Sequence, residues 1–432
     1  MNSPCVLALD LGTTAFKAAP VDAAGWCGPV ATARYALDAT PDGRVTCPPE
    51  RYRRAALRVL RAAARAAHAA GRTVAAIGIS SQAQTFAACD AHGNPIEPFL
   101  AWTEAGAVAE AAAAAAALPD FAGRSGFAQP SPLQLLPKAM RRRRASAPAD
   151  RYLLLPEWIV RELTGAPLGD TMIQGMGGLL DIRSGYWCGE ALQLAGLGPD
   201  QLSPLAPPGS AARRLTPAMA RALDLPEVPV SPCGNDQTCA AVGAGADGAG
   251  HATANFGTAM VVHRLLDHPV TPRSDAEIVG IGPWPGTWFH MAVENECANL
   301  LDGVARWLHP TGGTRRLLAD AGKARPGPNV PIAVPTGSGR LDLRGLVVGT
   351  RREDIARALL DTYAAAFTRL LADVLGGDPT PARIGAGGGL SRSAVWLETL
   401  GAAAGVRLEP CPLAHPGLVG VARILDRNLL ES

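Results

Sequence analysis

The sequence lacks any strong excess of one charge: 40 basic residues stand against 38 acidic ones, for a formal net charge of +2. An electrostatic nucleic-acid binder needs a basic surface that this balance does not supply. The one dense basic run, Arg141 to Arg144, lies between Leu133–Met140 and a loop containing Pro148. A solvated helix end is expected there. C-x-x-C pairs are absent from the nine cysteines, and the closest two, Cys233 and Cys239, are spaced for neither zinc nor redox chemistry. Scattered thiols of odd number fit a reducing compartment. No run of about 20 apolar residues suggests a membrane span. The alanine tract Ala111–Ala117 is short and follows Glu110, so it reads as a helix. Asp10 and Lys17 interrupt any charged-then-apolar leader. The expectation is a soluble cytoplasmic protein that meets neither nucleic acid nor membrane.

Two nucleotide signatures are missing as well. No Walker A sequence occurs, because Gly322-Lys323 has neither the upstream glycine spacing nor the hydroxyl residue. Gly243-Ala-Gly245-Ala-Asp-Gly248 matches the dinucleotide fingerprint by letter, but it follows an expected helix rather than a strand.

What is present is a repeated strand–turn pattern. At 432 residues the chain is long enough for two domains, each with its own core. Val6-Leu7-Ala8-Leu9 reads as a buried strand ending at Asp10, and a second strand runs from Phe16 to Val21. A third strand is expected by about residue 36, after the turn Asp22–Gly25. Arg51 to Ala70 reads as a helix and Val74 to Ile79 as another buried strand, so the first half is of α/β type. Prolines thicken from Pro199 to Pro232, which places the expected boundary near Val228, with domains of residues 1–228 and 229–432. In the second half Ala252–Phe256 reads as a strand that ends in Gly257-Thr258. Arg383–Ala386 leads into Gly387-Gly388-Gly389 and a helix over Ser391–Ala404.

Several of these segments could carry chemistry. Gly12, Thr13 and Thr14 offer free N–H groups, close backbone approach and hydroxyls, as a phosphate-binding turn requires. Asp10 at the strand end could hold a water-clad magnesium ion. An ordinary β-hairpin would carry the same residues. Asp236, in Pro232-Cys-Gly-Asn-Asp-Gln237 before a small-residue helix, could be a base for a phosphoryl acceptor or only a helix cap. Ser80 to Thr85 and Trp102-Thr103-Glu104 are polar clusters after apolar stretches, suited to a pocket for several hydroxyls. Trp102 alone could equally be core. Gly387-Gly388-Gly389 could meet an adenosine group or serve as a packing turn.

Taken in order, these blocks resemble the FGGY family of carbohydrate kinases. The resemblance rests on Leu9-Asp10-Leu11-Gly12-Thr13-Thr14 with Lys17, Ile77–Gln82 with Asp90, Gly93, Pro95 and Trp102, and Leu154–Glu157 through Gly165 and Asp170. It continues through Gly234-x-Asp236-Gln237, Phe256-Gly257-Thr258, Gly387–Ser393 with Trp396, and Gly417–Ala422. It implies an α/β fold of two ribonuclease-H-like, actin- or hexokinase-type lobes with an interdomain nucleotide cleft. The cofactors implied are ATP and Mg2+. Asp236 would be the general base and could share the metal with Asp10. Gly12, Thr13, Thr14, Lys17, Gly257, Thr258, Gly388 and Gly389 would bind the nucleotide. Gln82, Gln84, Trp102, Glu104 and Asp236 would face the acceptor, and the chain could associate as a homodimer.

The departures bear on the acceptor. Many members carry Trp-x-Asp-x-Arg, where this chain has Glu104 and Gly106 in the last two places. Ala83 and Gln84 stand where glycerol kinases carry Arg-Glu and xylulokinases Met-His. That disfavours glycerol and leaves ordinary xylulose unassured. A shortened stretch at Gly337–Arg340, together with Leu390-Ser391-Arg392, leans toward a seven-carbon ketose. A ketose of the pentulose or heptulose type is therefore expected. A cyclitol or other unusual polyol, a non-catalytic sugar or nucleotide sensor, and a chaperone-like ATPase are the alternatives.

Overall fold

The computed structural model describes residues 3–430 apart from 42, 146–147, 325–329 and 338; position 338 of the shortened stretch thus lies outside the described residues. The chain divides into two compact units. The first holds Met1–Gly243, Leu266–Phe289 and His415–Ser432, and the second holds Ala244–Leu265 and His290–Ala414. This division departs from the boundary expected near Val228. The proline-rich stretch lies within the first unit: it holds the helix Pro217–Leu223 and runs into the strand Pro229–Asn235, which pairs with the central sheet of that unit.

In the first unit, β1 (Pro4–Leu11) and β2 (Ala15–Val21) form an antiparallel pair that places Asp10 opposite Lys17. β3 (Ala31–Arg34) follows on the outside of β2. Helix α1 (Pro49–Ala69) buries Tyr52, Ala55, Ala56, Val59, Leu60 and Ala63 at helical spacing, with proline in its first turn. The small alanines let it lie close to β1 and β2. β4 (Thr73–Ser81) pairs parallel with β1, matching Asp10 to Ser80. Helix α2 (Leu135–Ala145) carries the basic run. β5 (Pro229–Asn235) adds a parallel strand beside β4, and α3 (Asp236–Gly243) starts at once. The resulting order is Arg213–Arg214, β5, β4, β1, β2, β3. Near-continuous burial along β1 and β4 is what a strand covered on both faces requires. α1 covers one face, over Leu7, Leu9, Phe16 and Ile77. The helix Pro416–Leu425 packs on β1, β4 and α3, so closely that a Cβ at Gly78 would fall 2.4 Å from Val421.

The second unit repeats this plan. β6 (Ala252–Phe256) and β7 (Met260–Leu266) form an antiparallel pair, with β8 (Trp288–Glu294) next in the sheet. Helix α4 (Arg352–Leu375) supplies Tyr363, Phe367 and Leu371 to the core. β9 (Arg383–Gly387) pairs parallel with β6, α5 (Ala394–Ala404) follows, and β10 (Arg407–Pro410) pairs parallel with β9. The order β10, β9, β6, β7, β8 thus mirrors β5, β4, β1, β2, β3. Among the described residues no helix is long and apolar enough to cross a membrane. All nine cysteines are free thiols.

Candidate functional site

The carboxyl ends of β1, β4 and β5 gather the acidic residues. In the β1–β2 pair the chain turns through Gly12, Thr13 and Thr14. A Cβ at Gly12 would lie 3.0 Å from the Ala15 carbonyl oxygen, so glycine keeps that turn tight. The Tyr35 hydroxyl donates to the Gly12 carbonyl at 2.5 Å and fixes the turn from β3's side. Thr13 uses its hydroxyl within the protein: it donates to Gln82 Oε1 at 2.9 Å and accepts from Trp102 Nε1 at 2.9 Å. Thr14 and Lys17 are exposed.

Asp236 is delivered by a bulge. The register of β5 on β4 shifts between Pro232 and Asn235, and Gly234 sits there with φ +93°, in the left-handed region. A side chain at 234 would meet Met172 Sδ at 2.5 Å, so both backbone and space call for glycine. Asn235, not Asp236, caps α3: its Oδ1 accepts from Gln237 N at 2.9 Å and Thr238 N at 3.4 Å. Asp236 accepts from Gln237 N at 2.8 Å. The two side chains thus share the Gln237 N–H, and Asn235 alone of the two reaches Thr238 N.

Burial raises the pKa of both aspartates. Asp236 is pushed up to about 7, first by burial and then by the negative charge of Asp10. Backbone N–H groups at the helix start and the Lys17 ammonium oppose the rise. For Asp10 the opposing influences are Lys17 and the Ser80 hydroxyl, which donates to Oδ1 at 3.4 Å. Two partly buried carboxylates that repel each other suit a hydrated dication, which would relieve that repulsion. Among the described residues no cluster of three or more His, Cys, Asp or Glu side chains could cage a metal ion unaided.

The polar residues after β4 lie beside this turn. Gln82 is buried and bonded to Thr13. Gln84 has φ +67°, unusual for a non-glycine residue, and its buried Oε1 has no hydrogen-bond partner among the described residues. Trp102 is half-buried rather than core; its backbone N–H donates to Thr85 Oγ1 at 3.0 Å. Glu104 is 1% exposed and ion-paired with Arg141 at 2.7 Å.

The run Arg141 to Arg144 ends in solvent as expected, with Arg143 and Arg144 exposed, but three of its arginines are also ion-paired. Arg141 pairs with Glu104, Arg142 with Glu97 at 2.8 Å and Arg144 with Glu110 at 3.0 Å. Arg142 is itself buried. Buried Lys138 of the same helix donates to the carbonyls of Ala101 at 2.8 Å and Trp102 at 3.0 Å. Burial lowers its pKa to about 7, against the pull of Glu104. The acids at 97, 104 and 110, spaced along the segment that precedes the helix, were the available sequence signal for this pairing.

In the second unit Gly257 and Thr258 form the turn between β6 and β7. Their carbonyls accept from Ala298 N at 3.2 Å and Cys297 N at 3.0 Å. Gly388 has φ +86°, and a Cβ there would fall 2.4 Å from the Phe256 carbonyl oxygen. The glycine run is thus drawn against the Gly257 turn, while Gly389 faces open space.

A family model for the N-terminal domain of the FGGY family of carbohydrate kinases matches residues 5–243, the stretch that carries Asp10, the Gly12 turn, Gln82, Trp102, Glu104 and Asp236. The chain belongs to the FGGY family. Gluconokinase from Bacillus subtilis (strain 168) is 25% identical over 286 residues, which cover 60% of this FGGY chain and 55% of that protein. The chain spans about half the length of the curated relatives that it matches first. Xylulose kinase from Lactobacillus acidophilus, solved with a ligand bound, superposes with a TM-score of 0.90 at 18% identity, over 99% of this chain and 90% of that one. Glycerol kinase from Plasmodium falciparum, solved with ADP, gives 0.88 at 14% identity, over 100% and 90%. These likenesses establish the mixed α/β, two-domain fold of actin and hexokinase type for this FGGY member.

Proposed function

We propose that the chain transfers the γ-phosphoryl group of ATP to a hydroxyl of a sugar or polyol. The observation that carries this reading is Asp236, a carboxylate at the start of α3 that is raised to about 7 beside Asp10, while Asn235 caps the helix. A base with a pKa near neutrality both exists in its ionised form and binds a proton usefully. Asp236 accepts the proton of the acceptor hydroxyl while that oxygen bonds to the γ-phosphorus and the bond to the β–γ bridging oxygen breaks. Asp10 and Asp236 would hold Mg2+ through water, and the ion would neutralise charge on the transferring phosphoryl group. Gly12, Thr13, Thr14 and Lys17, with Gly257 and Thr258 of the second unit, are assigned to the phosphates. Gly388 and Gly389 are assigned to the adenosine. Gln82, Gln84, Trp102 and Glu104 are assigned to the acceptor, and the unpaired Gln84 Oε1 and Glu104 Oε2 support that assignment.

A ketose of five or seven carbons is the first candidate: Leu390-Ser391-Arg392 leans toward the seven-carbon type, and Ala83 and Gln84 disfavour glycerol. The likeness to gluconokinases favours an aldonate as the second. The test is ADP formation with ATP and Mg2+ on D-xylulose, D-ribulose, sedoheptulose, D-gluconate, glycerol and myo-inositol. Phosphorylation of one ketose or of gluconate is expected. Turnover of none of them contradicts the kinase reading.

A further inference from the structure

We propose that Arg141 is a positioning residue of the acceptor pocket: its guanidinium, delivered from α2, fills the space of a side chain at 106 and sets Glu104 to present one oxygen to an acceptor hydroxyl. The inference rests on the assignment of Glu104 to the acceptor.

Gly106 is the first observation. Its backbone is not left-handed, so torsion does not require glycine there. The space is filled instead by side chains: a Cβ would lie 1.8 Å from Arg141 Nη1, 2.7 Å from Arg141 Cζ and 2.5 Å from Glu104 Oε1. The residues at 106 and 141 therefore compete for one volume. The Trp-x-Asp-x-Arg pattern puts an arginine at the position that is glycine here, and in this chain the guanidinium arrives from the helix instead.

Glu104 is the second. Its Oε1 accepts from both Arg141 Nη1 at 2.7 Å and Gly106 N at 3.0 Å. Its Oε2 is buried and has no hydrogen-bond partner among the described residues. A buried carboxylate oxygen without a donor is costly, and a hydroxyl from a bound polyol would satisfy it. With Oε1 held from two sides, the carboxyl plane cannot rotate freely, so the orientation of Oε2 is fixed before the acceptor arrives.

Lys138 is the third. It lies three residues before Arg141 on α2 and binds the carbonyls of Ala101 and Trp102. The same helix face thus holds the loop at 101, 102 and 104. The class of acceptor that this arrangement reads is a polyhydroxylated one that donates a hydroxyl hydrogen to a fixed carboxylate oxygen.

Acceptor kinetics on whichever panel compound turns over test the proposal. The variants are Arg141→Ala, Arg141→Lys, Gly106→Arg, Gly106→Arg with Arg141→Ala, and Glu104→Gln, each checked for folding by circular dichroism. Arg141→Ala and Gly106→Arg are each expected to raise the acceptor KM about tenfold or more, with the KM for ATP unchanged. Arg141→Lys is expected to recover part of the loss. The double variant is expected to outperform Gly106→Arg, because the loop arginine then enters the vacated space. An acceptor KM within about twofold of wild type for Arg141→Ala overturns the proposal, as does a double variant whose defect is the product of the single ones. A Glu104→Gln protein with an unchanged acceptor KM overturns the acceptor assignment itself. A raised KM there beside a normal Arg141→Ala overturns only the role of Arg141. Turnover of no panel compound overturns both.

Discussion

The indole N–H of Trp102 donates to the hydroxyl of Thr13 at 2.9 Å, and that hydroxyl donates onward to Gln82 Oε1 at 2.9 Å. One side chain of the turn after β1 thereby ties together two residues assigned to the acceptor. Thr13→Val removes both bonds and keeps the shape. It is expected to raise the KM for ATP and for the acceptor together and to cost about 1–2 kcal/mol of stability, as two net hydrogen bonds are worth. Trp102→Phe breaks only one bond and should cost about half as much. Steady-state kinetics and urea unfolding on the two variants check this.

Much of the site was legible because its signals are local. Asp10 through Lys17 shows a buried strand, a glycine turn and a second strand within a dozen or so residues, and the structure places all three as expected. Ala252–Phe256 and Arg383 onward were found on the same grounds. Asp236 stood out by its neighbours, although only the structure shows that Asn235 takes the cap. The acids at 97, 104 and 110 hint at the ion pairs of Arg141, Arg142 and Arg144, but at 34 to 45 residues along the chain nothing local specifies which acid meets which arginine. The division into units was missed for the same reason. Leu266–Phe289 and His415–Ser432 join the first unit from far along the chain, and prolines before β5 open short helical elements inside that unit rather than mark a boundary.

Tyr35 holds the turn from behind by donating to the Gly12 carbonyl at 2.5 Å. Tyr35→Phe keeps the ring contacts with Phe16 and Tyr52 and removes only the hydroxyl. A loss of about 1 kcal/mol in unfolding free energy is expected, with a raised KM for ATP. Denaturant titration and nucleotide kinetics are the check.

The pH dependence of stability follows from Asp236. Its pKa rises from 3.8 to about 7 on folding, so between those values the folded chain holds a proton that the unfolded chain has lost. The stability that this group contributes is complete below the lower value and is lost as pH climbs through the upper one. Asp236→Asn carries no such loss. In metal-free buffer the variant should melt above wild type at about pH 8, and the gap should close as pH falls toward about 4. Thermal melts across that range read the result directly.

The helix that begins at Asp236 depends on backbone contact behind it. A Cβ at Gly420 would fall 1.8 Å from the Cys239 carbonyl oxygen, and one at Gly243 would fall 1.8 Å from the Pro416 carbonyl oxygen. Neither carbonyl can rotate away as a side chain could. Gly420→Ala is expected to destabilise the protein by about 1–3 kcal/mol and to lower kcat by shifting α3. Gly417→Ala, where a Cβ meets open space, is the matched control in the same helix.

The central claim is that Asp236 takes the acceptor proton. It is tested most directly by the kcat of Asp236→Asn on a working acceptor, with the fold confirmed by circular dichroism. A loss of about 10²–10⁴ is expected while the KM for ATP changes little. A variant that phosphorylates the acceptor as fast as wild type contradicts it.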